Sequence, residues 1–84
     1  MVYAVMSCWC YDGDTDTEIL EICDSKEKAE ACLKLMAEFD YAEFWESMNL
    51  TKDAFDAFEW TNDYYNVEYE DTRITFYIVE KELK

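Results

Sequence analysis

No histidine and no proline occur in these 84 residues, and glycine occurs once. Without histidine there is no imidazole base, no histidine-held zinc or haem, and no imidazole pH switch. A single glycine excludes a glycine-rich phosphate loop. With no proline, no repeat and no break in composition, residues 1–84 read as one small domain. Basic residues are scarce: seven Lys and Arg stand against 21 Asp and Glu, giving a net charge of −14 and a pI near 4.1. That balance excludes direct binding of a nucleic-acid backbone, which needs clustered cations, and it repels an anionic membrane surface. No apolar run approaches the ~20 residues that span a bilayer. No basic segment precedes the first acid, Asp12, so a signal peptide is not expected and a cytosolic protein is.

What is present is apolar and aromatic. Hydrophobic residues make up 51% and aromatic residues 18% of the chain, enough for a folded core despite the charge. Residues 2–11 mix β-branched, aromatic and small apolar types on both faces, as a central strand does. Asp12–Asp16 reads as a turn, and Glu18–Cys23 returns as the second strand of a hairpin. Asp24-Ser25-Lys26-Glu27 starts a helix, capped by Asp24 or Ser25. Ala29, Cys32, Leu33, Met36 and Phe39 then form one apolar stripe. Tyr41, Phe44, Trp45 and Met48 fall out of phase with it, predicting a bend or a new helix near Asp40. Thr51 reads as a further N-cap, with Ala54, Phe55, Ala57 and Phe58 facing inward from a short helix. Two strands follow, around Tyr65–Tyr69 and Arg73–Glu80. The expected fold is α+β: a four-stranded, mostly antiparallel sheet in ββ-helices-ββ order, with two or three helices on one face.

Few residues suggest a reaction. Asp12, Asp14 and Asp16 alternate as the start of a calcium loop does, because a hard cation needs several oxygens from one turn. The sixth position is Thr17 where glycine is needed, and the twelfth is Cys23 where a glutamate is needed. A solvated acidic hairpin tip is the better reading. Cys8, Cys10, Cys23 and Cys32 lack the paired spacing of common zinc sites and read first as small buried hydrophobes. Cys8 and Cys10 share one face of their strand. Metal binding and disulfides are the other readings of the four. No cofactor and no catalysis are expected, since no serine or cysteine has a histidine to activate it.

The charge is uneven. Between Leu35 and Thr72 eleven acids stand against Lys52 alone. Glu43 and Glu46, then Asp53, Asp56 and Glu59, recur every third residue, a spacing that lines one flank of a helix at some cost in repulsion. Tyr41, Trp45, Trp60 and Tyr64 are interleaved with these acids, and such side chains anchor protein interfaces. The expected partner-binding set is therefore Asp40, Glu43, Glu46, Asp53, Asp56, Glu59 and Asp63 with those four aromatics.

In its length, its Glu/Asp rows between Glu38 and Asp71, and its strand-like ending Thr75–Leu83, the chain resembles the small acidic anti-defence proteins of phages and mobile elements. Anti-CRISPR and anti-restriction DNA mimics are of this kind. The resemblance implies a non-enzymatic inhibitor that acts in the host cytoplasm. Its partner would be a basic nucleic-acid-binding protein or nuclease complex. The alternative is a small interaction or regulatory module, homodimeric through exposed aromatics.

Overall fold

Alternating β-branched, aromatic and small residues carry Val2–Tyr11 through a ten-residue strand, β1, and Asp14–Cys23 through a second, β2. A computed structural model describes residues 1–50 and 52–82, with Lys52 described by its backbone alone. The turn between β1 and β2 is only two residues long. Asp12 (φ 49°) and Gly13 (φ 88°) both adopt positive φ, the tight geometry whose twist matches the strands it joins. Helix α1 (Lys26–Asp40) follows, and strands β3 (Ala57–Trp60), β4 (Tyr64–Tyr69) and β5 (Thr72–Lys81) complete the chain. The sheet order is β2-β1-β5-β4-β3, with every neighbouring pair antiparallel.

This corrects the expected fold: the sheet has five strands where four were expected, and α1 is the single α-helix among the described residues. The extra strand is β3, from the segment read as a third helix. Ala57-Phe58-Glu59-Trp60 alternates, with Glu59 exposed and Phe58 and Trp60 turned toward the core, so a period of two wins over a helical one. Helical geometry in that region is confined to a 3₁₀ turn, Lys52–Ala54. The cap expected at Thr51 lies outside the described residues.

Ser25 is the cap of α1: its Oγ accepts a hydrogen bond from the Lys28 N–H at 3.2 Å. Ala29, Leu33 and Ala37 are fully buried against the sheet. The out-of-phase aromatics are brought into line without a new helix. After Asp40 the backbone widens into one π turn, Tyr41–Trp45, in which the Glu46 N–H bonds back to the Tyr41 carbonyl. The extra residue in that turn rotates Trp45 onto the buried face, where it is fully enclosed. The Ser47 hydroxyl bonds the Glu43 and Phe44 carbonyls at 2.8 and 2.9 Å. A 3₁₀ turn, Glu46–Met48, ends at Asn49 in the left-handed conformation that asparagine tolerates.

All the helical segments lie on one side of the sheet. Val5 (β1), Tyr65 and Val67 (β4) and Ile74 and Phe76 (β5) point into this layer and pack with Leu33 and Trp45. Burying each side chain of this size is worth roughly 1.5–3 kcal/mol. Among the described residues the opposite face carries no helix, and Ile19 and Ile22 of β2 are 61% and 59% exposed there.

One charged residue sits inside this layer. Asp40 is 7% exposed, and its Oδ2 accepts hydrogen bonds from Trp45 Nε1 and Tyr65 OH, both at 2.8 Å. A buried indole and a buried phenol thus share one acceptor. Asp40→Ala leaves both donors unpaired and should lower stability in urea unfolding at pH 7 by about 2–5 kcal/mol. Asp40→Asn keeps an oxygen acceptor and should cost under about 1 kcal/mol. Equal losses in the two variants would show that these bonds are not what the residue provides.

Candidate protein-docking groove

The acids expected at a partner surface are split by the fold. Glu43 and Glu46 are exposed on the π and 3₁₀ turns after α1. Asp53, Asp56 and Glu59 do not form a helical row, because β3 interrupts it; all three are exposed. Asp56 Oδ2 accepts the Glu70 N–H at 2.9 Å, and Asp63 Oδ1 accepts the Thr61 hydroxyl at 3.1 Å, so both also brace turns. Asp40 is mostly enclosed, with its Oδ2 committed to the core, and meets the outside only as part of the groove described below.

Of the four aromatic residues expected at the partner surface, the structure encloses one. Trp45 is fully buried. Tyr41 and Trp60 are half-buried and face each other at 6.0 Å, and Tyr41 also packs edge-on against Phe58 at 5.8 Å. These rings extend an aromatic layer through Phe55, Phe58 and Tyr65. Tyr64 is half-buried on the helix-free face, paired across the sheet with Tyr77. Asp14 and Asp16 belong to β2 and not to a loop, and among the described residues no group of three acid or thiol side chains is placed to hold a metal ion.

Between α1 and the β1–β2 side of the sheet lies a groove of about 330 Å³, the lower end of the range for ligand sites. Ser7, Phe76 and Asp40 form its floor, and Leu20 and Met36 form its flanks. Trp9 and Phe44 meet edge-to-face at 5.8 Å to close one wall. Glu18 and Glu43 stand at the rim, and Phe39 beside them is 66% exposed. Three carboxyl groups and no cation line this space. Such a lining suits a positive group carried on an apolar stem.

Sequence reasoning placed Phe39 in the buried stripe, and the structure turns it out. The position that replaces it was readable: Asp40 falls eleven residues, about three turns, beyond Ala29 and therefore directly over the buried face. The groove itself depends on β2 lying beside β1 and on the π turn presenting Phe44, and neither leaves a local signal.

Eighteen of the 21 acids are exposed. Among the described residues one ion pair forms, Lys28–Asp24 at 3.0 Å. The Lys28 hydrogen bond, and then its charge, hold Asp24 below the ordinary carboxyl range. Burial pushes Asp40 upward, and the hydrogen bonds from Tyr65 and Trp45 oppose the shift. Burial also raises Tyr65, helped by the Asp40 charge.

No family model matches the chain, and no curated protein or solved structure matches it. Among the described residues, no helix is long and apolar enough to cross a membrane.

A carboxyl raised in the folded state stabilises fully below its unfolded range, and that contribution is lost as pH rises through the raised value. The fully exposed Asp24, whose carboxyl is held low by Lys28, works the other way. Urea unfolding should therefore show greater stability at pH 5 than at pH 7, with a smaller difference in Asp40→Asn. Equal or lower stability at pH 5 would contradict this electrostatic account.

Proposed function

We propose that the chain is a non-enzymatic inhibitor that docks on the basic cleft of a nucleic-acid-handling protein, of the kind found among defence nucleases. The observation that carries this reading is the uncompensated charge. A net charge of −14 is spread over a body 43 Å long with one ion pair among its described residues. A protein that merely needed solubility could neutralise much of this charge with lysines at no cost to its core. Left free, the carboxylates steer a basic partner and release the counterions held at its cleft.

The groove adds an anchor to the steering. Lysine and arginine carry apolar stems beneath a charged head. The Trp9, Leu20 and Phe44 walls suit such a stem, and Glu18 and Glu43 suit the head. A basic cleft that normally grips phosphates presents such side chains in number.

The test is binding to a panel of CRISPR effectors and restriction nucleases with a salt titration and a duplex competitor. Affinity should fall steeply with salt, and duplex DNA should displace the chain. Reversing Glu43, Glu46, Asp53 and Glu59 to lysine should weaken binding by roughly a hundredfold or more. Phe39→Ser, at an exposed position, should weaken it by about tenfold or less. Binding that ignores both salt and the charge reversals would refute the proposal.

A second reading, a homodimeric module, is favoured by the helix-free face alone. Its exposed Ile19 and Ile22 lie beside Met6 and Ala4 of β1. Sedimentation in 1 M NaCl distinguishes the two: a dimer that persists there and dissociates on Ile19→Lys with Ile22→Lys supports the module. A monomer under both conditions removes it.

A further inference from the structure

Alternation along β1 turns Tyr3, Val5, Ser7 and Trp9 toward the helical layer. Ser7 is the smallest of the four, and the floor of the groove lies over it. The ladder sets Ser7 between Glu18 of β2 and Phe76 of β5, and Asp40, at the end of α1, closes the floor from the helix side. Ser7 is 3% exposed and Asp40 7%. The Ser7 hydroxyl has no hydrogen-bond partner among the described residues. Neither has Asp40 Oδ1, since Trp45 and Tyr65 both donate to Oδ2. Yet among the described residues no fully enclosed side-chain oxygen or nitrogen lacks a partner. Both oxygens therefore open onto the groove that their residues line.

Two acceptors at the bottom of an apolar hollow are matched by a group that carries N–H donors. Glu18 and Glu43 at the rim, with no cation in the lining, select a positive one. Asp40 has one oxygen to give, because the other already accepts two bonds. It cannot receive the two parallel bonds of a guanidinium, whereas a compact ammonium needs single acceptors. A quaternary ammonium brings the charge without any N–H. The walls set the stem above the charged head. Trp9 and Phe44 stand at 80° to each other, so a flat ring that lies against one meets the edge of the other. A cavity of about 150 Å³ accepts benzene. The groove, at about 330 Å³, has room for such a ring with a short chain.

We propose that the groove is a binding site for a small primary amine on an aromatic stem, its ammonium held by Asp40 Oδ1 and the Ser7 hydroxyl and its ring by Trp9 and Phe44. Such a site needs no partner protein, so it stands or falls separately from docking on a basic cleft.

The probe is phenethylamine, titrated into the isolated chain at pH 7 by calorimetry and by ¹H–¹⁵N NMR. It should bind with a Kd of roughly a millimolar or tighter. The indole N–H signals of Trp9, in the wall, and of Trp45, bonded to the same carboxylate, should move, and that of Trp60, outside the groove, should stay. Phenethyl alcohol and phenethyltrimethylammonium should bind roughly tenfold or more weakly, and phenethylguanidine roughly threefold or more weakly. Ser7→Ala should weaken the amine by roughly three- to tenfold. Asp40→Asn, which turns an amide NH₂ toward the groove, should weaken it by roughly tenfold or more, with an unchanged far-ultraviolet circular dichroism spectrum. Ile22→Ser, on the helix-free face, should leave binding as it is. Equal binding of the amine and the alcohol, no binding at several millimolar, or binding indifferent to both groove variants would overturn the proposal. Tighter binding of Nα-acetyl-lysine amide than of phenethylamine would overturn it too, by assigning the floor to a partner's side chain.

Discussion

The carboxylate of Asp40 is the point on which the helical layer is fixed to the sheet. Its Oδ2 receives Trp45 from the π turn that follows α1 and, from β4, Tyr65, which lies 25 residues beyond Asp40 in sequence. Both donors belong to fully buried side chains that could not be left unpaired without a penalty of about 1–3 kcal/mol each. One acceptor therefore sets two things at once: the register of α1 along the sheet and the rotation of the widened turn. The turn in turn presents Phe44 and Glu43 toward β1, which makes the groove.

The sheet divides its two faces by what covers them. On the helix side the aromatic residues close into a continuous layer, from Trp9 and Phe44 through Trp45 and Phe55 to Phe58, Trp60 and Tyr65. This layer explains why so many rings fit a small core: β3 adds a strand whose Phe58 and Trp60 extend it sideways. Most of the rings serve cohesion, while Tyr11 and Phe39 stay exposed among the surface carboxylates. Among the described residues no helix covers the open face, which is apolar beside Ile19 and Ile22 and thiol-bearing beside Arg73. β2, which forms one edge of the sheet, carries Asp14, Asp16, Glu18 and Glu21 and thus resists pairing with another chain's strand.

Much of this was written in local sequence. The alternation of Val2–Tyr11, the Asp-Gly turn, the Ser25 cap and the Tyr65–Tyr69 alternation each point to the element that forms. The errors have physical causes. Ala54–Phe58 satisfies a helical spacing as well as a strand spacing, and only pairing with β4 decides for the strand. The shift of phase after Asp40 was visible, but a new helix and a single π turn produce the same shift on a wheel. Trp45 and Tyr41 looked like surface anchors because acids flank them, yet flanking acids say nothing about the direction a ring takes once the turn widens. The acidic surface was legible in composition. The groove was not, since Leu20, Met36 and Phe76 meet only through tertiary structure.

The charge can also be compared with what a basic cleft is built to receive. A net charge of −14 over 43 Å is about one charge per 3 Å, against about 1.7 Å for duplex DNA and about 3.4 Å for one of its strands. By linear density the chain resembles a single strand more than a duplex. A cleft shaped for a duplex would thus gain less from these charges than from its own substrate, and charge alone would leave the protein a weak competitor. The deficit is made up only by contacts that nucleic acid lacks. Under the proposed function, the apolar groove walled by Trp9, Leu20 and Phe44 and rimmed by Glu18 and Glu43 would be such a contact, because it would take the stem of a lysine or arginine as well as its charge. In the proposed docking, the carboxylates would govern how fast a basic partner is met, and the groove how long it is held.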